Sequence, residues 1–66
     1  MKRASNATAH PIRAAILELL DGDDMTVPEI WRDLPEDATV AAVGYHLAVL
    51  QEADLVDRVG GLFRRT

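Results

Sequence analysis

Val43-Gly44-Tyr45-His46-Leu47-Ala48-Val49-Leu50-Gln51-Glu52-Ala53-Asp54-Leu55-Val56 is the stretch that decides how this 66-residue chain folds. Val43, Leu47, Leu50 and Asp54 fall at i, i+4, i+7 and i+11, with Val40 one turn earlier, so most of one helical stripe is apolar. That stripe predicts an inward-packed helix over residues 40–53 that runs without a break into a strand. Residues 55–59, the pair Gly60-Gly61 and residues 62–66 then have the form of a hairpin. A glycine pair supplies the positive φ angles that a two-residue turn needs.

Upstream, Pro11 suits a first helical position, and Ile12, Ile16, Leu19 and Leu20 place a wide apolar face on a helix over residues 11–20. It ends near Asp21, with Gly22 as its C-cap. Thr26-Val27-Pro28-Glu29 is a capping box that opens a second helix over residues 27–34. Ile30, Trp31 and Leu34 give that helix a face to bury, and Pro35 closes it. Pro35-Glu36-Asp37-Ala38 forms a turn, after which Asp37 or Thr39 can cap the third helix. Asp21, Asp23 and Asp24 lack the alternating oxygen ligands and terminal Glu of a calcium loop and read as a polar turn. The chain divides into a polar tail, residues 1–9, and one domain, residues 10–66.

Three helices followed by a C-terminal hairpin make a mainly α fold, a winged helix-turn-helix. Tyr45-His46-Leu47, Val49-Leu50, Glu52-Ala53 and Leu55-Val56 resemble the recognition helix of the ArsR-type winged helix-turn-helix regulators. The resemblance extends upstream through His10-Pro11-Ile12-Arg13, Ile16-Leu17, Leu20 and Met25-Thr26-Val27-Pro28-Glu29-Ile30, and so covers nearly all of the chain after Ala9. It implies a transcriptional regulator that binds double-stranded DNA. The chain departs from that family in three ways. The turn before its third helix is longer, its third helix lacks the family's polar or basic residues at Val40, Ala41, Gly44 and Ala48, and it stops at the hairpin without the helix the family uses to dimerise. A homodimer contact then falls to Ile12 and Leu19 on the first helix, with core packing as the competing role for both.

Charge runs against nucleic-acid binding: eleven acids against seven bases give a net charge of −4 and a pI of about 4.8. The bases are six Arg and one Lys, and Asp outnumbers Glu seven to four, a balance that suggests a high-GC genome, with that of a salt-loving organism as one case. At about 1 M salt the Debye length is only ~3 Å, so net charge would say little about approach to DNA. The competing reading is a solvated, solubilising acidic face. The absence of Cys removes disulfides and thiolate metal sites, including the cysteine-based sensing found in part of the resembled family. No apolar run approaches the roughly 20 residues of a membrane span, so a soluble, cytoplasmic protein with no membrane partner is expected.

Opposite the buried stripe, helical spacing turns Ala41, Gly44, Tyr45, Ala48 and Glu52 outward, with Ala42 beside them. Bases are read mostly by Arg, Lys, Asn or Gln, and this face is expected to hold none. The family's DNA contacts carry over only at Thr39 and Tyr45. Ala41 and Ala42 can touch thymine methyls, and Gly44 allows a close backbone approach, so binding would lean on phosphates and groove shape. In the hairpin, Val59 faces Leu62, Arg58 faces Phe63, Asp57 faces Arg64 and Val56 faces Arg65. Asp57 then partly neutralises Arg64, which leaves Arg58 and Arg65 as backbone contacts, with Lys2 and Arg3 if the tail turns toward DNA. Three to five phosphate contacts imply a salt slope of about −3 to −4.

His46 reads as a packed or edge histidine, His10 as a helix-start residue and Trp31 as core. No Ser-His-Asp order, phosphate loop or zinc spacing is present, so neither an enzyme nor a cofactor is expected. Two functions stay open: a DNA-binding regulator, with Arg58, Arg64 and Arg65 on phosphates, or a winged-helix module whose bare Ala/Gly face meets a protein partner.

Overall fold

The computed structural model describes residues 10–34 and 38–66. The N-terminal tail with Lys2 and Arg3, and Pro35, Glu36 and Asp37 of the expected turn, lie outside the described residues.

Helix α1 spans Pro11–Gly22 and starts where the sequence predicts. His10 caps it, its ring Nδ1 accepting the Ile12 N–H at 3.2 Å, and Pro11 occupies the first turn, where a missing N–H costs nothing. The helix runs past its expected end. Gly22 is its last helical residue rather than a left-handed cap, and the extended Asp23, φ −165°, is the C-cap.

Helix α2 spans Val27–Arg32 and opens with the predicted capping box. The Thr26 N–H donates to Glu29 Oε1 at 2.9 Å, and the Glu29 N–H donates to Thr26 Oγ1 at 3.4 Å. It stops two residues short of the predicted Leu34, with the Asp33 N–H reaching the carbonyls of Glu29 and Ile30. Ile30 and Leu34 are buried as expected, but Trp31 is 44% exposed and is not a core residue. An apolar side chain at helical spacing is buried only where another element reaches it, and the indole is only partly covered.

Helix α3 spans Val40–Glu52, with Thr39 as its cap: Thr39 Oγ1 accepts the Ala42 N–H at 3.0 Å. Val43, His46, Leu47 and Leu50 form its buried stripe. Val40 does not belong to that stripe; in the first turn it is 51% exposed, ahead of the point where the helix meets its neighbours. Nor does the helix run unbroken into the strand. Asp54 takes the left-handed conformation, φ 61°, the Asp54 N–H donates to the Gln51 carbonyl, and the Leu55 N–H donates to that of Leu50. This is a Schellman ending, in which Asp54 occupies the position usually held by Gly. Asp tolerates that conformation better than most side chains, and the turn swings the chain off the helix axis into the hairpin.

Strands β1, Val56–Val59, and β2, Leu62–Arg65, pair antiparallel in the predicted register. Of the two turn glycines, only Gly60 has positive φ, at 64°. The turn therefore uses one glycine in the left-handed region rather than two, the pattern of a type II′ rather than a type I′ turn. A bridge that the sequence did not reveal ties the hairpin to the α1–α2 connection: Met25 and Phe63 exchange both backbone hydrogen bonds, at 3.0 and 2.7 Å. Ile16, Ile30, Val43, Leu47 and Leu50 are fully buried where the three helices meet, and Val56 and Phe63 close that core from the hairpin side.

Candidate nucleic-acid interface

The capped start of α3 and its buried stripe together fix which side of the helix faces out. Ala41, Gly44, Tyr45, Ala48 and Glu52 are exposed and Ala42 is half-buried, as the spacing predicts. Tyr45 is the largest of these, 63% exposed. Thr39 is exposed, and with Oγ1 accepting the Ala42 N–H its hydroxyl hydrogen is still free to donate. A side chain at Gly44 would meet nothing within 4 Å, so the helix has open space above that point. One side chain of a type able to read bases was missed: Gln51 is exposed seven residues after Gly44, hence on the same stripe. The signal was present in that spacing. Its amide can pair with adenine in the manner usual for Gln.

Strand alternation places Val56, Arg58, Phe63 and Arg65 on one face of the hairpin and Asp57, Val59, Leu62 and Arg64 on the other. The expected charge pairing is not what forms. Asp57 Oδ1 accepts the N–H of Arg58 at 2.9 Å, and the one ion pair among the described residues joins Arg65 to Asp21, at 3.4 Å. Arg65 therefore sits at the base of the hairpin with its charge already matched. Arg64 and Arg65 also line an open cleft of about 490 Å³ with Asp21, Asp23 and Asp24. Arg58 lies nearer the turn, where its Nε donates to the Gly60 carbonyl at 3.2 Å and its guanidinium carbon stands 5.9 Å from the centre of the Phe63 ring. Of the three wing arginines, Arg58 is the one held away from the acidic loop.

Beneath Tyr45, the rings of His46 and His10 pack with centroids 4.4 Å apart, and Tyr45 meets the His46 ring edge-on at 5.3 Å. His46 is buried, the packed rather than the edge alternative. Its Nδ1 and Arg13 Nε are both buried without a partner among the described residues. Burial, and then the neighbouring His10 and Arg13, hold the His46 imidazole below its ordinary value near 6.5. The unfolded chain therefore binds a proton more readily than the folded one. The stability that neutral His46 contributes is fully present above about pH 6.5 and is lost as the pH falls through the lowered folded value. Melting temperatures between about pH 7.5 and 5 should fall more steeply for the parent than for His46→Gln. Equal slopes would show that His46 does not titrate between the folded and unfolded states.

No helix of the described residues is long and apolar enough to cross a membrane, and no three metal-ligating side chains cluster among them. Three helices, a capped outward-facing third helix and a hairpin beside it define a winged helix-turn-helix domain. Residues 8–59 match the family described as helix-turn-helix domain, and the chain belongs to that family. Such domains are characteristic of DNA-binding regulators that are not enzymes. No curated protein and no solved structure matched the chain.

Proposed function

We propose that the protein is a small cytoplasmic transcriptional regulator of the ArsR-like winged-helix type that binds double-stranded DNA. The observation that carries this reading is the open outer face of α3, on which Tyr45 is 63% exposed. Thr39, Ala41, Ala42, Gly44, Tyr45, Ala48 and Gln51 meet the major groove, and Arg58 contacts phosphate, with Arg64 and Arg65 secondary because acids flank them. Two half-sites bound by a dimer would tighten binding, with Ile12 and Leu19 as the subunit contact. Both are half-buried against the core, which leaves that contact small.

A second reading is favoured by the cation-free face of α3: a winged-helix module that binds a protein there instead of DNA. Titration with generic duplex DNA at low and high salt separates the two. The DNA reading expects measurable low-salt binding that weakens with a salt slope of about −1 to −3 for one to three phosphate contacts. No binding at low salt, where phosphate contacts are strongest, would overturn it.

A further inference from the structure

We propose that Trp31 is a positioning residue for α3, its indole N–H latching the start of that helix across the α2–α3 connection. The proposal rests on the DNA-binding reading for its functional consequence and on geometry for the latch itself. Residues 33–39 separate α2 from α3, whereas a helix-turn-helix joins its two helices through about three or four residues. A longer connection admits more backbone conformations, so by itself it constrains the start of α3 less than a short turn would and leaves more to contacts beside the core stripe. Leu34 and Ala38, within the connection, are buried in that core. Among the described residues a polar, directional contact is added to this: Trp31 Nε1 donates to the Ala38 carbonyl at 3.0 Å. Ala38 directly precedes Thr39, whose hydroxyl caps α3 and whose carbonyl accepts the Val43 N–H, so the latched carbonyl lies next to the first helical bonds. With 44% of Trp31 in solvent, its hydrogen bond rather than its burial accounts for its place.

Trp31 is the single tryptophan of the chain, so its indole gives a unique resonance. Replacing it with benzothienylalanine, in which sulfur takes the place of the N–H, removes the donor and keeps the ring shape; Trp31→Phe is the genetic counterpart. In the parent the indole N–H should exchange slowly with solvent. The analogue should speed amide exchange at Ala42 and Val43 while leaving Leu50 protected. It should weaken binding to a generic duplex at low salt by about 3- to 10-fold, the size of one net hydrogen bond, with the salt slope unchanged. An indole N–H that exchanges as fast as free indole would overturn the latch. So would an analogue that leaves both Ala42–Val43 exchange and affinity as in the parent, or one that lowers protection uniformly through Leu50, the mark of a plain stability residue. If the parent binds no duplex, the DNA reading falls and the exchange measurements alone judge the latch.

Discussion

Leu47→Ala is expected to unfold the domain or lower its melting temperature by more than about 10 °C. Leu47 is 1% exposed and belongs to the fully buried set with Ile16, Ile30, Val43 and Leu50. Truncating such a leucine costs about 2 to 5 kcal/mol, through lost burial and the cavity left behind. A single core in a chain this short rarely supplies more than about 3 to 5 kcal/mol, and each kcal/mol is worth roughly 4 to 8 °C at this size. Val40→Ala is the control. On the helical pattern alone Val40 belongs to the same stripe, but it is 51% exposed, so its truncation should change stability by no more than about 0.5 kcal/mol. Thermal unfolding of the two variants checks both statements, and an unchanged melting temperature for Leu47→Ala would place that residue outside the core.

Arg58→Gln is expected to weaken binding to every duplex alike and to flatten the salt slope by about one unit, as the loss of one phosphate contact should. Arg65→Gln should do much less, because its guanidinium is already paired with Asp21. The sequence pattern alone points to a different outcome, in which Arg58 and Arg65 act equally and Arg64 is neutralised by Asp57. Tyr45→Ala should instead reduce discrimination between sequences while leaving the salt slope in place, since an exposed side chain on the outer face of α3 reads bases or groove shape rather than phosphate charge. Salt-dependent binding of the three variants to specific and generic duplexes measures all of this. Equal slopes for Arg58→Gln and the parent would remove the wing from the interface. If a protein is the partner, these variants should show no DNA-dependent difference, and Ala48→Glu, on the exposed face of α3, should abolish the protein contact.

What the sequence by itself determined is what neighbours within a few residues decide. The Thr26–Glu29 capping box, the outward set on α3 and the hairpin register across Gly60-Gly61 are local patterns, and each formed as read; of the two caps the sequence left open for α3, Thr39 is the one that forms. Helix periodicity and strand alternation carry that information without reference to the rest of the chain. The tertiary structure decided whatever depends on partners distant in sequence. Arg65 pairs with Asp21 rather than leaving its charge free, Phe63 bridges to Met25, and His46 lies buried against His10 and Arg13. Trp31 and Val40 show the same limit, since an apolar residue at helical spacing is buried only where another element reaches it. Asp54 marks the boundary between the two kinds of information. Its left-handed backbone ends α3 within a single turn through local hydrogen bonds, and its carbonyl also accepts a distant one, from the Thr66 hydroxyl at 2.7 Å at the far end of the hairpin. Local pattern sets the elements and their faces, because it acts over one or two turns. Which faces are covered and which charges are matched follows from how those elements pack, because burial and Coulomb attraction act between groups that only the fold brings together.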